Sequence, residues 1–319
     1  MNTKLLVLGL LLSVNCLAAE KTTIRIGVQA AGTVEWEFPV LQDALKAKPS
    51  DFQLDIQHLA NAEAGKIALQ SGAVDVIVSD WIWVSSMREK GADFSFYPYS
   101  ETSGALGVPK DSAIKSLQDL KGKRLGIAGG ELDKNWLLLQ TLAKQQHDID
   151  LDASVEKVFG APPLINEQIK QGRIDAALNY WHFAARLGED YRTIIDGRGI
   201  LQGLGIQERV ANLGYVFKQS WAEQHQEALK HFFAASKQAK QTLCSSDAEW
   251  QKIIPLTKVD DQAAQKQLRQ SYCAGNIERW GEAEQQAAGR IYQLLHKQSK
   301  HVLTGNSGQL QPGTFWSGN

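Results

Sequence analysis

Part of this 319-residue chain repeats itself at a shift of 100 residues. Residues 70–75 read Gln-Ser-Gly-Ala-Val-Asp, and residues 170–175 read Lys-Gln-Gly-Arg-Ile-Asp. The same shift pairs two tryptophans of the first half with two of the second, Trp36 with Trp136 and Trp81 with Trp181. Because similar segments direct similar local folds, the repeat predicts two related units, and a chain of this length usually needs two cores.

Short β-rich runs alternate with helical patterns along both halves, which is typical of α/β architecture. We predict strands at residues 24–29, 54–59, 74–79, 124–128, 155–159, 174–179 and 212–218. We predict helices at residues 35–47, 62–71, 133–145, 166–171, 222–243, 247–253, 260–272 and 282–300. Gly72 and Gly172 are placed to end their helices in the left-handed conformation. Asp75 and Asp175 are expected to bond turn amides where the next strands begin.

The predicted fold is therefore α/β, with two α/β lobes joined by a two-crossing hinge and a helical C-terminal region. Residues 98–109 and 197–205 are rich in turn-forming residues, so the chain is expected to cross between the lobes there. The predicted segments are a signal peptide (1–19), lobe I (20–104 and 201–300), lobe II (105–200) and a tail (301–319). The tail either frays or docks its aromatic residues Phe315 and Trp316.

The first residues carry the pattern of a secretory signal peptide. Lys4 precedes an apolar run at residues 5–14 that is too short to span a bilayer, and small residues lead to Ala19. Asn15 stands before Cys16, where a lipoprotein signal requires a small residue, so we expect full cleavage near Ala19 and export to the periplasm. A buried N-terminal helix or a membrane anchor is the alternative.

Cysteine usage agrees with an exported protein. Loss of Cys16 with the signal leaves Cys244 and Cys273, which predict one disulfide in an oxidising compartment, two separate buried thiols being the alternative. The formal net charge of −1 and a pI near 6.7 give no basic surface for nucleic acid.

Candidate ligand-binding residues follow the predicted strands, because ligands of open α/β sheets bind beyond the carboxyl ends of the strands. They are Thr33, Glu35, Trp36, Ser79, Asp80, Trp81 and Trp83 in the first half, and Gly130, Glu131, Asp133, Asn179, Tyr180 and Trp181 in the second. Trp81 and Trp181 hold equivalent places, so closure of the lobes is expected to bring them to opposite faces of one ligand. Packing in the core is the alternative for each tryptophan, and capping of a helix is the alternative for Asp133.

Several segments resemble the periplasmic binding proteins for aliphatic sulfonates, taurine, nitrate and thiamine pyrimidine precursors. They are Ile-Arg-Ile-Gly at 24–27, Ala-Leu-Gln-Ser-Gly-Ala-Val-Asp at 68–75, Val-Pro-Lys-Asp-Ser at 108–112 and Ile-Lys-Ser-Leu-Gln-Asp-Leu-Lys-Gly-Lys at 114–123. Their order covers residues 24–221 and is more specific than any one of them. The resemblance implies a type II periplasmic binding protein fold with a small-molecule solute between the lobes. It also implies a monomer that serves an inner-membrane ABC permease with a cytoplasmic ATPase.

The second-lobe loop departs from a sulfonate-binding pattern. Residues 129–133 read Gly-Gly-Glu-Leu-Asp, and carboxylates at a helix start compete with an anion for the same amides. Aromatic faces with carboxylates suit a cationic or nitrogen-containing aromatic solute better than a sulfonate or nitrate.

No catalytic motif supports an enzyme: Gly-x-Ser-x-Gly, Gly-x-x-x-x-Gly-Lys-Ser/Thr and His-Glu-x-x-His are all missing from the sequence. No cofactor is expected. A likeness to binding proteins associated with periplasmic quinoprotein alcohol oxidation favours an alternative role, as an accessory or sensor binding protein, with a metal or metal chelate as a possible cargo.

Overall fold

A computed structural model describes residues 21–30, 32–47 and 50–318 of the chain. The predicted signal peptide and Cys16 lie outside the described residues. Within these ranges the chain forms two five-stranded sheets with helices packed against them, which confirms the predicted α/β class. No helix in this part of the protein has the length and apolar character needed to cross a membrane.

The first sheet takes four strands from the start of the chain and one from beyond the second sheet, whose five strands are consecutive in the chain. The first sheet has the order β2-β1-β3-β10-β4, and the second has the order β7-β6-β8-β5-β9. The strands are β1 (Thr22–Gln29), β2 (Phe52–Leu59), β3 (Val76–Ser79), β4 (Phe94–Ser100), β5 (Gly104–Pro109), β6 (Arg124–Ala128), β7 (Glu156–Gly160), β8 (Ala176–Tyr180), β9 (Tyr191–Asp196) and β10 (Leu213–Lys218).

Thirteen α-helices are found in the described residues, and three short 3₁₀ helices accompany them. The α-helices are α1 (Phe38–Ala47), α2 (Ala62–Ser71), α3 (Trp81–Glu89), α4 (Lys134–His147), α5 (Leu151–Ser154), α6 (Pro162–Lys170), α7 (Trp181–Ala185), α8 (Gly197–Gly203), α9 (Gln219–Gln224), α10 (Gln226–Ser245), α11 (Asp247–Thr257), α12 (Gln262–Ala274) and α13 (Glu282–Gln298). The 3₁₀ helices are Thr33–Glu37, Gln118–Leu120 and Gly188–Asp190.

The two sheets have the same topology, which confirms the internal repeat. In each, the fourth strand runs antiparallel to the three parallel strands on one side and to the fifth strand on the other, and β1, β2 and β3 correspond to β6, β7 and β8. The glycine after the helix adopts a left-handed conformation in both copies, with φ of 77° at Gly72 and 66° at Gly172. We call the first sheet with its helices the first lobe, and the second sheet with its helices the second lobe.

Asp75 and Asp175 do not bond turn amides as expected. Asp75 accepts hydrogen bonds from the backbone N–H of Arg25 at 2.9 Å and from its guanidinium, on the neighbouring strand. Asp175 accepts the same set from Arg124. The carboxylates therefore fasten the start of the third strand to the first strand in each lobe, because a guanidinium is a stronger donor than a turn amide.

The chain passes between the sheets twice among the described residues. It leaves the first sheet after Ser100 and enters the second at Gly104, and it returns between Asp196 and Leu213 through α8. Both crossings fall in or beside the predicted hinge segments. Two crossings of this kind are the usual hinge of a closing two-lobed protein.

The C-terminal segment docks on the first lobe. Thr314 accepts a hydrogen bond from the backbone N–H of Phe96, and the N–H of Trp316 donates to the carbonyl of Phe96, both at 2.9 Å. Phe315 packs on Trp280 with ring centroids 5.2 Å apart. The aromatic residues of the tail therefore dock on the protein, and they cover the free edge of β4.

The predicted disulfide is confirmed. Cys244 at the end of α10 and Cys273 near the end of α12 are bonded, with Cα atoms 5.7 Å apart, which lies within the normal range for a disulfide. The bond ties two long helices of the first lobe together.

Candidate functional site

The ends of the central parallel strands face each other across the gap between the lobes. In the first lobe, β1 leads into the 3₁₀ helix Thr33–Glu37, and β3 leads into α3. In the second lobe, β6 leads into the loop before α4, and β8 leads directly into α7. Side chains from these four helix starts meet, and we call the region they form the interlobe cleft.

An ion pair between Asp80 and Lys134 joins the two sides of the cleft. Asp80 caps α3 by accepting the backbone N–H of Trp83 at 3.0 Å, and its other oxygen lies 3.0 Å from Nζ of Lys134, the first residue of α4. The side chain of Asp80 is 13% exposed and that of Lys134 is 27% exposed. The pair is therefore largely shielded from water, where its attraction is stronger than on an open surface.

The electrostatics of this pair favour both charged forms. Burial alone would raise the pKa of Asp80, but the Lys134 charge and the Trp83 amide outweigh burial and hold that pKa below its ordinary value. Burial alone would lower the pKa of Lys134, but the Asp80 charge raises it above its ordinary value. Both groups are ionised at neutral pH.

Asp133, Tyr180 and the turn at Gly129 lie next to Lys134. Asp133 caps α4 by accepting the backbone N–H of Trp136 at 3.0 Å, and burial raises its pKa. Burial, with the Asp133 charge, also raises the pKa of Tyr180. Gly129 has a φ of 93°, and an added Cβ there would lie 3.5 Å from the Tyr180 hydroxyl. This glycine allows the loop to turn close beside the tyrosine.

Trp36 and Trp181 form an apolar contact across the same cleft. Their ring centroids lie 6.0 Å apart in an edge-to-face arrangement, and Trp36 packs in the same way on Trp250. Arg186, at the end of α7, donates a hydrogen bond to the carbonyl of Thr257 at 2.9 Å. The second lobe therefore rests on the C-terminal helices of the first.

A cavity of about 60 Å³ lies beside the ion pair, at the base of the cleft near the hinge. Its walls come from α3, α4, α8, α13 and both crossings, and include Trp81, Lys134, Asn135, Arg198 and Asn212. This volume holds a few water molecules, well below the several hundred Å³ of a typical small-molecule site. Because Asp80 contacts Lys134 and Trp36 contacts Trp181 across the cleft, the lobes are closed in this structure.

Trp81 and Trp181 do not face each other across one cavity, contrary to the expectation from the repeat. Trp81 is only 2% exposed, donates its ring N–H to the carbonyl of Ala211 at 2.8 Å and packs on Tyr292 and Phe315. Trp181 instead packs on Trp36. The C-terminal helices and tail, which have no counterpart in the second lobe, cover the two indoles differently.

The other predicted residues divide between the cleft and the core. Asn179 is 2% exposed, and its side chain bonds Asn166 and the carbonyl of Pro162, so it holds α6. Trp83 stacks on Phe94 at 5.2 Å and is partly buried against the core of the first lobe.

Ser79 is buried at the end of β3. Glu35, two residues after Thr33 on the 3₁₀ helix, lies 2.9 Å from Nδ1 of His58 on β2. Gly130 has open space where a side chain would point, and Glu131 is exposed.

A buried polar network, which the sequence did not reveal, fixes the first-lobe side of the cleft. Glu37 is 1% exposed and accepts hydrogen bonds from the hydroxyls of Tyr99, Tyr272 (2.8 Å) and Ser236 (2.9 Å). Lys240 donates to the carbonyl of Tyr99 at 2.7 Å. Burial raises the pKa of Glu37 and lowers that of Lys240 to about 8. Because Glu37 directly follows Trp36, the network holds the 3₁₀ helix in place.

The sequence interpretation also missed Lys134, Asn135 and Arg198. Asn135 accepts hydrogen bonds from the Ser103 hydroxyl and from the N–H of Gly104, so it ties α4 to the first crossing. Lys134 had a usable signal, because a cation in the first turn of a helix opposes the helix dipole and needs a nearby anion.

No group of three or more His, Cys, Asp or Glu side chains placed to hold a metal ion is found in residues 21–30, 32–47 and 50–318.

Two solved sulfonate-binding proteins share this architecture. The aliphatic sulphonate binding protein SsuA from Escherichia coli matches with a TM-score of 0.70 and 18% identity, over 93% of each chain. The alkanesulfonate-binding protein SsuA from Xanthomonas axonopodis pv. citri, bound to MOPS, matches with a TM-score of 0.66 and 18% identity, over 94% of this chain and 99% of that one. At this identity the likeness shows the fold alone.

A curated relative matches only in part. The L-cystine-binding protein TcyJ from Escherichia coli strain K12 is 29% identical over 112 residues. The match spans 35% of this chain and 38% of that protein.

The model of the family described as "NMT1/THI5 like" matches residues 48–249, which is more than half of the chain. The fold agrees with the resemblance found in the sequence. The chain belongs to the NMT1/THI5-like family.

Proposed function

We propose that this protein is the periplasmic substrate-binding component of an ABC importer, which captures a small solute between its lobes and delivers it to a membrane permease. The observation that carries this proposal is the interlobe cleft, where side chains from two separate lobes meet at the ends of parallel strands. Closure of a hinge around a solute is the mechanism that such a cleft provides. Family membership and the fold of the SsuA proteins support it.

The periplasmic location is part of this proposal. The predicted signal peptide favours it, and so does the Cys244–Cys273 disulfide, because disulfides persist in oxidising compartments. The partners that follow are an inner-membrane permease and a cytoplasmic ATPase.

The proposed cargo is a nitrogen-containing solute rather than a simple sulfonate or nitrate. Asp80 and Asp133 are carboxylates at the starts of α3 and α4, where a purely anionic solute would otherwise bind helix amides. The aromatic rings of Tyr180 and Trp181, which are only partly buried, supply faces for an amine or a heterocycle.

A thermal-shift screen of a periplasmic metabolite library tests this function. A true ligand at a hundredfold excess over its dissociation constant is expected to add about 2.7 kcal/mol to the free energy of unfolding. A library in which no solute raises the melting temperature would contradict the proposal. Uptake of the best solute by the host bacterium, with and without the gene, separates import from an accessory or sensor role.

A further inference from the structure

The Asp80–Lys134 pair divides one positive and one negative charge between the two lobes. Among the ion pairs of the described residues, it is the one that links a helix start following β3 to a helix start following β6. Lys134 also lines the cavity beside Trp81. A solute that enters this part of the cleft meets both charges.

The other charged side chains that line this cavity have partners within the hinge region. Arg198 donates to the carbonyls of Glu208 at 2.7 Å and Gln207 at 2.6 Å. Glu101 is paired with Arg209. The Asp80–Lys134 pair differs from these, because its two charges come from different lobes and separation of the lobes would leave both to meet a solute.

Displacement of only one partner would be strongly unfavourable. A simple cation that took the place of Lys134 at Asp80 would leave a shielded ammonium without a counter-charge, and a simple anion at Lys134 would do the same to Asp80. Asp133 and Lys66 offset only part of this cost, because Asp133 acts on Lys134 more weakly than Asp80 does, and Lys66 acts on Asp80 more weakly than Lys134 does. A solute that carries both charges replaces each partner by a group of the same sign.

We propose that the cargo is a zwitterion, whose amine binds Asp80 and whose acid group binds Lys134. This inference rests on the proposed function and narrows its nitrogen-containing solute to one that also carries an acid. The acid is a carboxylate or a sulfonate, because Lys134 presents a point charge that does not distinguish their shapes. Asp80 is held by the Trp83 amide, so the solute is expected to align on Asp80 and to be met by the longer Lys134 side chain.

Isothermal titration calorimetry with matched compounds tests the proposal. One set is taurine, β-alanine, ethylamine, ethanesulfonate and propionate, and a second is L-cystine, cystamine and 3,3′-dithiodipropionate. A third is L-phenylalanine, phenethylamine and 3-phenylpropionate. In at least one set, the zwitterion is expected to bind more than a hundredfold tighter than its amine or its acid. The affinities for taurine and β-alanine, compared with each other, show whether the protein prefers a sulfonate or a carboxylate.

Two variants connect the preference to the ion pair. Lys134→Gln is expected to weaken the zwitterion at least a hundredfold and to bring its affinity close to that of the matched amine. Asp80→Asn is expected to bring the affinity for the zwitterion close to the affinity for the matched acid. Asp175→Asn, which breaks an ion pair within the second lobe, is the control and should leave all affinities unchanged.

Several results would contradict the proposal of a zwitterionic cargo. The first is that, in every set with binding, the wild-type protein binds the amine or the acid with a dissociation constant within tenfold of that for the zwitterion. The second is that the protein binds none of the zwitterions tested. Equal losses for all compounds in both variants, with matching losses in melting temperature, would show a structural pair only. Tight binding of a singly charged solute would leave the proposed function standing, whereas a thermal-shift library without any ligand would remove it.

Discussion

Glu37 carries an ionisable group into the interior of the first lobe, where hydroxyls and Lys240 surround it. Loss of one member of this network is expected to destabilise the folded protein, because the remaining polar groups stay buried without their hydrogen bonds. The residue matters for the cleft since the 3₁₀ helix that it anchors also carries Trp36.

Glu37→Ala is therefore expected to lower the free energy of unfolding by about 3–5 kcal/mol, as for a broken buried ionic network. Urea denaturation measures the change. Glu189→Ala, at an exposed position in the 3₁₀ helix Gly188–Asp190, is the control and is expected to change it by less than about 0.5 kcal/mol. Equal losses in both variants would contradict the role assigned to the network.

His182 is expected to make the protein sensitive to acid. Burial, with the nearby Arg186 charge, lowers the pKa of His182 to about 3, and its Nδ1 has no hydrogen-bond partner. Between pH 6.5 and about pH 3 the unfolded chain binds a proton that the folded protein does not, so stability falls as the pH falls through this window. The slope from this residue is about 1.4 kcal/mol per pH unit.

His182→Gln removes that slope, because glutamine does not titrate. Urea denaturation from pH 7 to pH 4.5 should show the wild-type protein losing stability faster than the variant as the pH falls. Parallel curves would show that His182 is not responsible.

At this scale the sequence predicted several cleft residues but not their partners. Asp80, Asp133, Trp36 and Tyr180 follow strands, a position that the pattern makes visible. The place of Lys134 in the first turn of α4 indicates that it needs an anion, but no local pattern shows that this anion is Asp80 of the other lobe.

Among the secondary-structure elements, the sequence predicted best those with clear local signals. α2 has an Asn61 cap and a Gly72 stop, and its predicted bounds are those of the structure. β6 was likewise predicted correctly. The start of α1 is less regular, because a 3₁₀ helix at Thr33–Glu37 precedes the α-helix.

Three strands and α3 escaped prediction for physical reasons. β4 contains Pro98, which argues against a central strand, yet β4 is an edge strand of the first sheet, where proline is tolerated. β9 is likewise an edge strand, and β5 pairs with β8 and β9, which come much later in the chain. No helix was predicted for the segment of α3, whose Trp81 and Trp83 were instead candidate ligand-binding residues because they follow a predicted strand.

The disulfide between α10 and α12 is expected to contribute about 3–4 kcal/mol of stability, because it closes a loop of 29 residues in the unfolded chain. Urea denaturation of the Cys244→Ser, Cys273→Ser double variant measures this difference. Thiol titration of unfolded, unreduced wild-type protein is the control, and two free thiols there would contradict the bond.

For the whole molecule, the repeat explains why there are two lobes, and the C-terminal segments explain why the lobes are not equivalent. α12 contacts α7, α13 contacts α4, and the tail covers the edge of β4, all from one end of the chain. The repeat therefore predicted two related sheets correctly. It predicted equivalent surroundings for Trp81 and Trp181 wrongly.

The proposed function depends most on the closure of the two lobes around a solute. Spin labels at Glu63→Cys on α2 and Glu167→Cys on α6, in a Cys16→Ser background, report the distance between the lobes by pulsed electron resonance. Without solute, we expect a broad distribution of distances between the two labels, including distances longer than in the closed structure. Addition of the solute with the largest thermal shift should narrow it to the short distance of the closed structure. A single narrow distribution that stays the same when a solute binds would contradict closure of the lobes around the solute.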